Sequence, residues 1–276
     1  NYFASIKTRA KYIQGISGER IKAELDKILI SENFDIGIRL LELTGLLKFL
    51  CPELDRLKKV FHKSKKYHLE GDVLVHSLLV MKALKINDLN LKYAALFHDV
   101  GKISTAQKVV KPEGWVYSFH GHGAKSIEIF EKFAVKYKFP GKDKNLIRWL
   151  IKFHDDKKTF FDSNPLKQII YALQDNFNLL LDIWQADQAG NISKPENEWY
   201  RKPRMEAYER GQVLLKKISS KKKLVKKLAR GGLIMKYTKL KPGPQVGKKI
   251  EQVKIQIILG KIKNTRDMKN FLGNNP

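Results

Sequence analysis

The chain has 276 residues, 43% hydrophobic and 30% charged, and its 54 Lys+Arg against 28 Asp+Glu give a formal net charge of +26. That length allows one large domain or two to three small ones with a proper core. A single cysteine, Cys51, excludes an intramolecular disulfide and a zinc–thiolate cluster and fits a reducing, cytoplasmic setting. No apolar run approaches the ~20 residues a membrane span requires, and no signal peptide is visible. The positive excess points to a polyanionic partner, nucleic acid by default. Compositional bias toward lysine is the rival explanation, and it would spread evenly. Residues 1–66 carry 14 basic and 8 acidic side chains, 67–190 carry 17 and 14, and 191–276 carry 23 and 6. The charge is therefore concentrated in the last third.

Residues 1–66 read as a small helical region. Ile6, Ala10 and Ile13 mark one face of a first helix, and Ser17 is an N-cap for a second over 20–29. Ile36, Leu40, Leu41, Leu43 and Leu46 mark a third, with Gly45 weakening its end, and Pro52 stops the helix that follows. These apolar residues are expected to be core.

From 67 the character changes. After HLEGD, with Asp72 as N-cap, comes an apolar helix over 73–84, and His76 projects from its buried face between Val73 and Leu79/Val80. A single core histidine is usually satisfied by a backbone carbonyl. The next helix, through Leu91, Ala94, Ala95, Leu96 and Phe97, runs into His98, Asp99 and Gly101. His98 and Asp99 can converge on one point only where the helix ends, and Gly101 is expected to supply that ending. A polar loop follows, containing Pro112, Gly114 and an aromatic patch (Trp115, Tyr117, Phe119). His120 and His122 then precede a helix through Ile127, Ile129, Phe130 and Phe133. A helix N-terminus suits phosphate, so His122 and Lys125 could serve a phosphorylated substrate; a solvated loop is equally consistent. A helix over 146–153 delivers His154, where the helix dipole alone would also favour a cationic imidazole.

The segment 166–189 is expected to be one long helix, with Asp187 emerging on the apolar stripe of Leu180, Ile183 and Trp184. A bare buried carboxylate is unstable. It needs a cation, either a metal or an arginine partner, unless it is exposed at the helix end. A linker-like stretch, 194–203, leads to a helix over 205–215 and a lysine-rich amphipathic stretch, 216–230, whose Leu224, Val225 and Leu228 form a narrow apolar side. Such basic stretches bind nucleic acid, acidic proteins or membrane surfaces, or are merely solvated. Pro242, Gly243 and Pro244 make a rigid turn before a new helix, and a last helix begins near Asn264. With no strand alternation evident, the chain reads as all-α.

His76, His98, Asp99 and Asp187 together are two imidazoles and two carboxylates, each on an apolar helix or its end. That set suits a divalent transition metal (Mn, Fe, Co, Ni or Zn) better than calcium. His122 and His154 could complete a second metal site or hold phosphate. A metal so placed lowers the pKa of bound water and offsets charge on a phosphoryl oxygen, so phosphoester hydrolysis is the natural chemistry.

The H…HD…D pattern resembles the HD superfamily of metal-dependent phosphohydrolases. A closer resemblance covers nearly the whole chain: it is similar to the part of a bacterial CCA-adding tRNA nucleotidyltransferase that follows the catalytic head. The matching stretches are GERIKAELDKIL, RLLELTGLLKFLCPEL, EGDVLVHSLLV, AALFHDVGK, FHGHGAKS, ADQAGN and the tail motif LKPGPQVGKKI. The resemblance implies an RNA-binding, neck-like region (1–66), an HD phosphohydrolase domain (67–190) and a basic helical tail (191–276). It implies His98, Asp99 and Lys102 as catalytic, Lys102 as a phosphate contact, and 2′,3′-cyclic phosphates, 2′-nucleotides and other phosphoesters as substrates. It also implies tRNA as partner, with Lys221, Lys222, Lys223, Lys226, Lys227, Lys248 and Lys249 as candidate contacts. The family's head carries a glycine-rich turn and a magnesium-binding Asp-X-Asp pair, and no Asp-X-Asp occurs here. The chain is thus expected to be a C-terminal fragment or half of a split enzyme, its head upstream or on a separate chain. The alternatives are an inert HD fold that only grips tRNA, and a free-standing HD nucleotidase.

Overall fold

The computed structural model describes residues 2–61, 69–111, 114–194 and 202–273. Most of the expected linker 194–203, and Pro112, lie outside them. The N-terminal elements are α1 (Tyr2–Arg9), a 3-10 helix (Ala10–Gly15), α2 (Gly18–Ile30), α3 (Phe34–Leu43), α4 (Leu46–Leu50), α5 (Pro52–Arg56) and a second 3-10 turn (Leu57–Lys59). They are followed by α6 (Val73–Ala83), α7 (Leu89–Phe97), α8 (Lys102–Thr105), β1 (Gln107–Lys111), β2 (Gly114–Ser118), α9 (His122–Lys136), α10 (Gly141–Phe153) and α11 (Lys157–Asp162). The remainder is α12 (Pro165–Ala172), α13 (Phe177–Gly190), α14 (Lys202–Leu228), α15 (Gly231–Thr238), α16 (Pro244–Leu259) and α17 (Thr265–Gly273). The all-α reading holds, with one small antiparallel strand pair added among the described residues.

The chain divides into two compact units, Asn1–Lys158 with Leu179–Met205, and Thr159–Asn178 with Glu206–Pro276. In the first, α6 and α7 are the centre. Val73, Leu74, Leu78, Val80 and Met81 of α6 are buried, as is every residue from Leu91 to Phe97 of α7. Aspartate caps start both helices: Asp72 accepts from the Val75 N–H at 2.9 Å and Asp88 from the Leu91 N–H at 3.0 Å. Even Lys92 is buried, its ammonium donating to the Met81 carbonyl at 3.1 Å and lying 3.9 Å from the centre of the Phe34 ring. In the second unit, Leu228, Ile234, Val246, Val253, Ile257, Met268 and Leu272 form a small core, and Ile169 of α12 packs with Ile255 and Ile258 of α16.

The structure corrects the sequence reading at several points. Residues 107–111 and 114–118 pair as two antiparallel strands, Gln107 with Ser118 through Lys111 with Gly114, where a loop was expected. The long helix over 166–189 is broken between α12 and α13, at residues 173–176. The helix expected over 205–215 and most of the basic stretch 216–230 form the single α14. Ile6, Ile36, Leu40 and Leu43 are exposed rather than core. In α3 the buried side is Phe34 and Ile38, because α2 closes on Gly37, where a Cβ would fall 2.6 Å from Ile28 Cγ2. That close approach fixes which of the two apolar stripes of α3 faces inward.

Candidate metal centre

α6 sets His76 at one wall of a buried polar cluster. Its Nδ1 lies 3.1 Å from Glu70 Oε1, and the other Glu70 oxygen accepts from the Ile192 N–H at 2.9 Å. Glu70 is thus fixed from behind, and it orients the imidazole.

α7 ends at Phe97, so His98 and Asp99 fall in the turn as expected. The reason for Gly101 is different from the expected one. Its φ is −65°, an ordinary right-handed value. What the position requires is closeness: a Cβ there would lie 2.1 Å from the His122 carbonyl oxygen and 2.6 Å from the Ser126 nitrogen. Gly101 N–H donates to Ser126 Oγ at 2.9 Å. The turn therefore docks on the first turn of α9, and this brings His122 Nε2 to 3.3 Å from Asp99 Oδ1.

α13 is held against the same core at three places. The Asp182 carboxylate accepts from the Lys85 and Ile86 N–H groups, both at 3.2 Å, and Trp184 Nε1 donates to the Phe153 carbonyl at 2.9 Å. A Cβ on Gly190 would lie 2.9 Å from the Val80 nitrogen, so α13 and α6 touch backbone to backbone there. Between these anchors Asp187 Oδ1 sits 3.1 Å from His76 Nε2 and 3.7 Å from His98 Nε2.

One local device recurs at three helix ends or starts. His98, His122 and His154 each bond through Nδ1 to the carbonyl three residues earlier: Ala95 at 2.8 Å, Phe119 at 3.0 Å and Ile151 at 2.7 Å. A carbonyl only accepts, so each Nδ1 carries the hydrogen, and in the neutral ring each Nε2 presents a lone pair. All three turn that Nε2 toward Asp99. His98 Nε2 lies 3.2 Å from Asp99 Oδ2, His122 Nε2 3.3 Å and His154 Nε2 3.8 Å from Oδ1, and His122 and His154 Nε2 atoms are 3.1 Å apart.

Asp99 is thus shared by two groups, His76–His98–Asp99 and Asp99–His122–His154, with the ligand atoms of each within 4.8 Å of one another. The donors are imidazole nitrogens and carboxylate oxygens, which suits a divalent transition metal. His98 Nε2 gives an independent test of fit: it is buried and has no hydrogen-bond partner. A lone pair facing two carboxylates is repulsive, so that nitrogen calls for a proton or a metal cation. The cluster can hold a divalent ion.

Its electrostatics agree. Burial alone would raise the Asp99 and Asp187 pKa values, but neighbouring cations outweigh it and hold both well below the usual carboxylate range. For Asp99 these are His98 and Lys102, with a hydrogen bond from His122; for Asp187, Lys157 comes first. Burial opposes a charge on His76, yet its hydrogen bonding to Asp187 and Glu70 lifts it to about 9. His154, buried beside other imidazoles, is lowered to about 4, and His122 is raised through Asp99. The pocket attracts positive charge, which protons or a metal can supply.

The structure brings His76, His98, Asp99, Asp187, His122 and His154 together, with Lys102 Nζ 2.6 Å from Asp99 Oδ2. It leaves Lys125 outside, exposed and paired to Glu128 at 2.7 Å. Among the tail lysines, Lys222, Lys223, Lys226, Lys227 and Lys248 are exposed, and Lys221 and Lys249 half-buried. Sequence reasoning missed two residues. Lys157 is buried, and its ammonium contacts Asp187 Oδ2, a cation beside the carboxylate that is neither an arginine nor a metal and leaves Oδ1 facing the histidines. Its signal was its position three residues after His154. Glu70 lay inside the HLEGD stretch without a role.

Two protein families match the chain. Residues 1–58 match the one described as the probable RNA and SrmB-binding site of polymerase A, and residues 73–180 match the HD domain.

Proposed function

We propose that this chain, whose two family matches stand in the order found in the C-terminal portion of a CCA-adding tRNA nucleotidyltransferase, is a tRNA-binding, metal-dependent phosphohydrolase. In this reading 1–66 is the RNA-binding region, 67–190 the HD domain and 191–276 a basic tail whose lysines contact tRNA phosphates. His76, His98, Asp99 and Asp187 hold a divalent metal, and His122 and His154 share Asp99 with a second ion or a phosphate. The observation that carries the proposal is the partnerless, buried Nε2 of His98 facing two carboxylates.

A bound divalent metal would supply an activated water and offset negative charge on a phosphoryl group. The chain's own groups do the rest. The Nδ1–H bonds to Ala95, Phe119 and Ile151 hold the rings in one tautomer. Glu70 orients His76. Lys102, beside Asp99 at the cluster, can balance charge on a phosphate oxygen. The substrates that fit are small phosphoesters, 2′,3′-cyclic nucleotides among them.

The test is metal content together with hydrolysis of 2′,3′-cyclic AMP in Mn, Ni, Co or Mg. Stoichiometric metal and metal-dependent hydrolysis are expected; full activity of Asp99→Ala would remove the assignment. A second reading has its own support: Lys157 and Lys102 already place ammonium groups on Asp187 and Asp99. Those pairs would let the HD fold stand without metal, as a scaffold that only grips tRNA. Absence of metal binding with tRNA binding intact would select it.

A further inference from the structure

The hairpin β1–β2 has no part in the chemistry described above, yet it leads directly into it. Residues directly opposite each other in an antiparallel pair lie on the same face. The register pairs Lys108 with Tyr117 and Val110 with Trp115, so these four share one side. Trp115 and Tyr117 rings are 5.4 Å apart and Tyr117 and Phe119 rings 6.2 Å apart, forming a row at i, i+2 and i+4. All three side chains are half-buried, and Val110 beside them is 86% exposed. Lysines sit at both ends: Lys108 Nζ is 4.2 Å from the Trp115 ring centre, and Lys102 Nζ is 5.3 Å from that of Phe119. The same Lys102 ammonium holds Asp99, and the Phe119 carbonyl holds His122. The row therefore runs from solvent to the edge of the metal cluster.

We infer that this aromatic row is a stacking track for the bases of a single-stranded RNA end, which it guides so that the terminal phosphate reaches the Asp99 cluster. The inference rests on the phosphohydrolase reading and narrows its substrate to a strand end rather than a mononucleotide. Aromatic rings in series with lysines beside them are what a single strand requires, because every base has a π-face and every link a negative charge. One base would need one ring; a row extends the contact over successive bases. On the face of the row β1 carries Lys108, and neither strand carries an acidic residue, so this face favours a polyanion over an ordinary protein face.

The probe is a short fluorescein-labelled single-stranded RNA with a 3′-terminal phosphate, titrated onto the full chain by fluorescence anisotropy. EDTA is present to separate binding from turnover, and salt is held at about 0.3 M to suppress diffuse lysine contacts. Trp115→Ala and Tyr117→Ala are each expected to weaken binding about tenfold. Trp115→Phe and Tyr117→Phe should keep most of the affinity, and Trp115→Leu should not. Hydrolysis of p-nitrophenyl phosphate, which has no base, should be unchanged in all of them. Unaltered RNA binding in the alanine variants, or full affinity in Trp115→Leu, would overturn the inference. So would a parallel loss of p-nitrophenyl phosphate hydrolysis, which would make the row a support of the metal cluster. Binding that depends on the rings in a chain that hydrolyses nothing would instead overturn the hydrolase reading and leave the stacking track standing.

Discussion

The polar cluster around Asp99 and the lysine-bearing surface of α14 and α16 use charge in opposite ways. In the cluster, His76, His98, Asp99, His154 and Lys157 are all buried, and Asp99 alone faces His98, His122 and Lys102 within 3.3 Å. On α14, Lys222, Lys223, Lys226 and Lys227 stand in solvent. The buried set depends on geometry, because in a low dielectric each group fixes the state of its neighbours. The exposed set depends on number, because each solvated lysine contributes a small, salt-screened increment. A change in the first should act all-or-none, and a change in the second by degrees.

The largest effect expected from that contrast is in Asp99→Ala. It removes the carboxylate common to both ligand groups, so metal content by mass spectrometry and phosphoester hydrolysis should fall to background together. Gly101→Ala comes next. A methyl group placed 2.1 Å from the His122 carbonyl must push α9 away from the turn, and thermal unfolding should show a loss of about 3 kcal/mol. A wild-type melting curve for that variant would mean the close approach is not required.

Glu70→Gln keeps size and polarity but loses the charge behind His76. Metal affinity, read by competition with a chromophoric chelator, should fall about 10- to 100-fold while the fold is retained. Metal binding should also strengthen with pH. His76 stands at about 9 against an ordinary 6.5, so below 9 the metal must displace a proton, and affinity should climb between 6.5 and 9. A flat profile over that window would show that His76 is not a ligand. For the metal-free fold the sign is opposite: stabilisation from protonated His76 is complete below 6.5 and is lost as pH rises through 9.

The smallest effects belong to the lysines. Lys226→Ala and Lys227→Ala should each lower tRNA affinity only a few-fold and reduce the slope of log affinity against log salt by about one unit. If one such variant abolished binding, the tail would be working by geometry after all, and the contrast would fail.

How much of this was legible in the chain depended on whether the signal was local. Ser17, Asp72 and Pro244 announced helix starts because a cap or a fixed φ acts within one turn. The residues of the cluster were legible because histidine and aspartate on apolar stripes are anomalous. The hairpin was hidden because its second strand sets only Trp115 and Tyr117 in alternation and its first presents Val109 and Val110 together. The exposed stripe of Ile36, Leu40 and Leu43 looked like core because hydrophobicity does not say which of two apolar faces finds a partner.

The sequence by itself determined the helical class, the residue types at the cluster and the excess charge of the last third, since each follows from composition or from spacing within a few turns. Only the tertiary structure decided that Asp99 belongs to two histidine groups at once, that Lys157 meets Asp187, and that Gly101 is there for contact rather than for conformation. Those facts come from backbones closing on one another at Gly101 and Gly190, where a missing Cβ lets distant segments touch. No pattern along a single helix records which distant segment will arrive there.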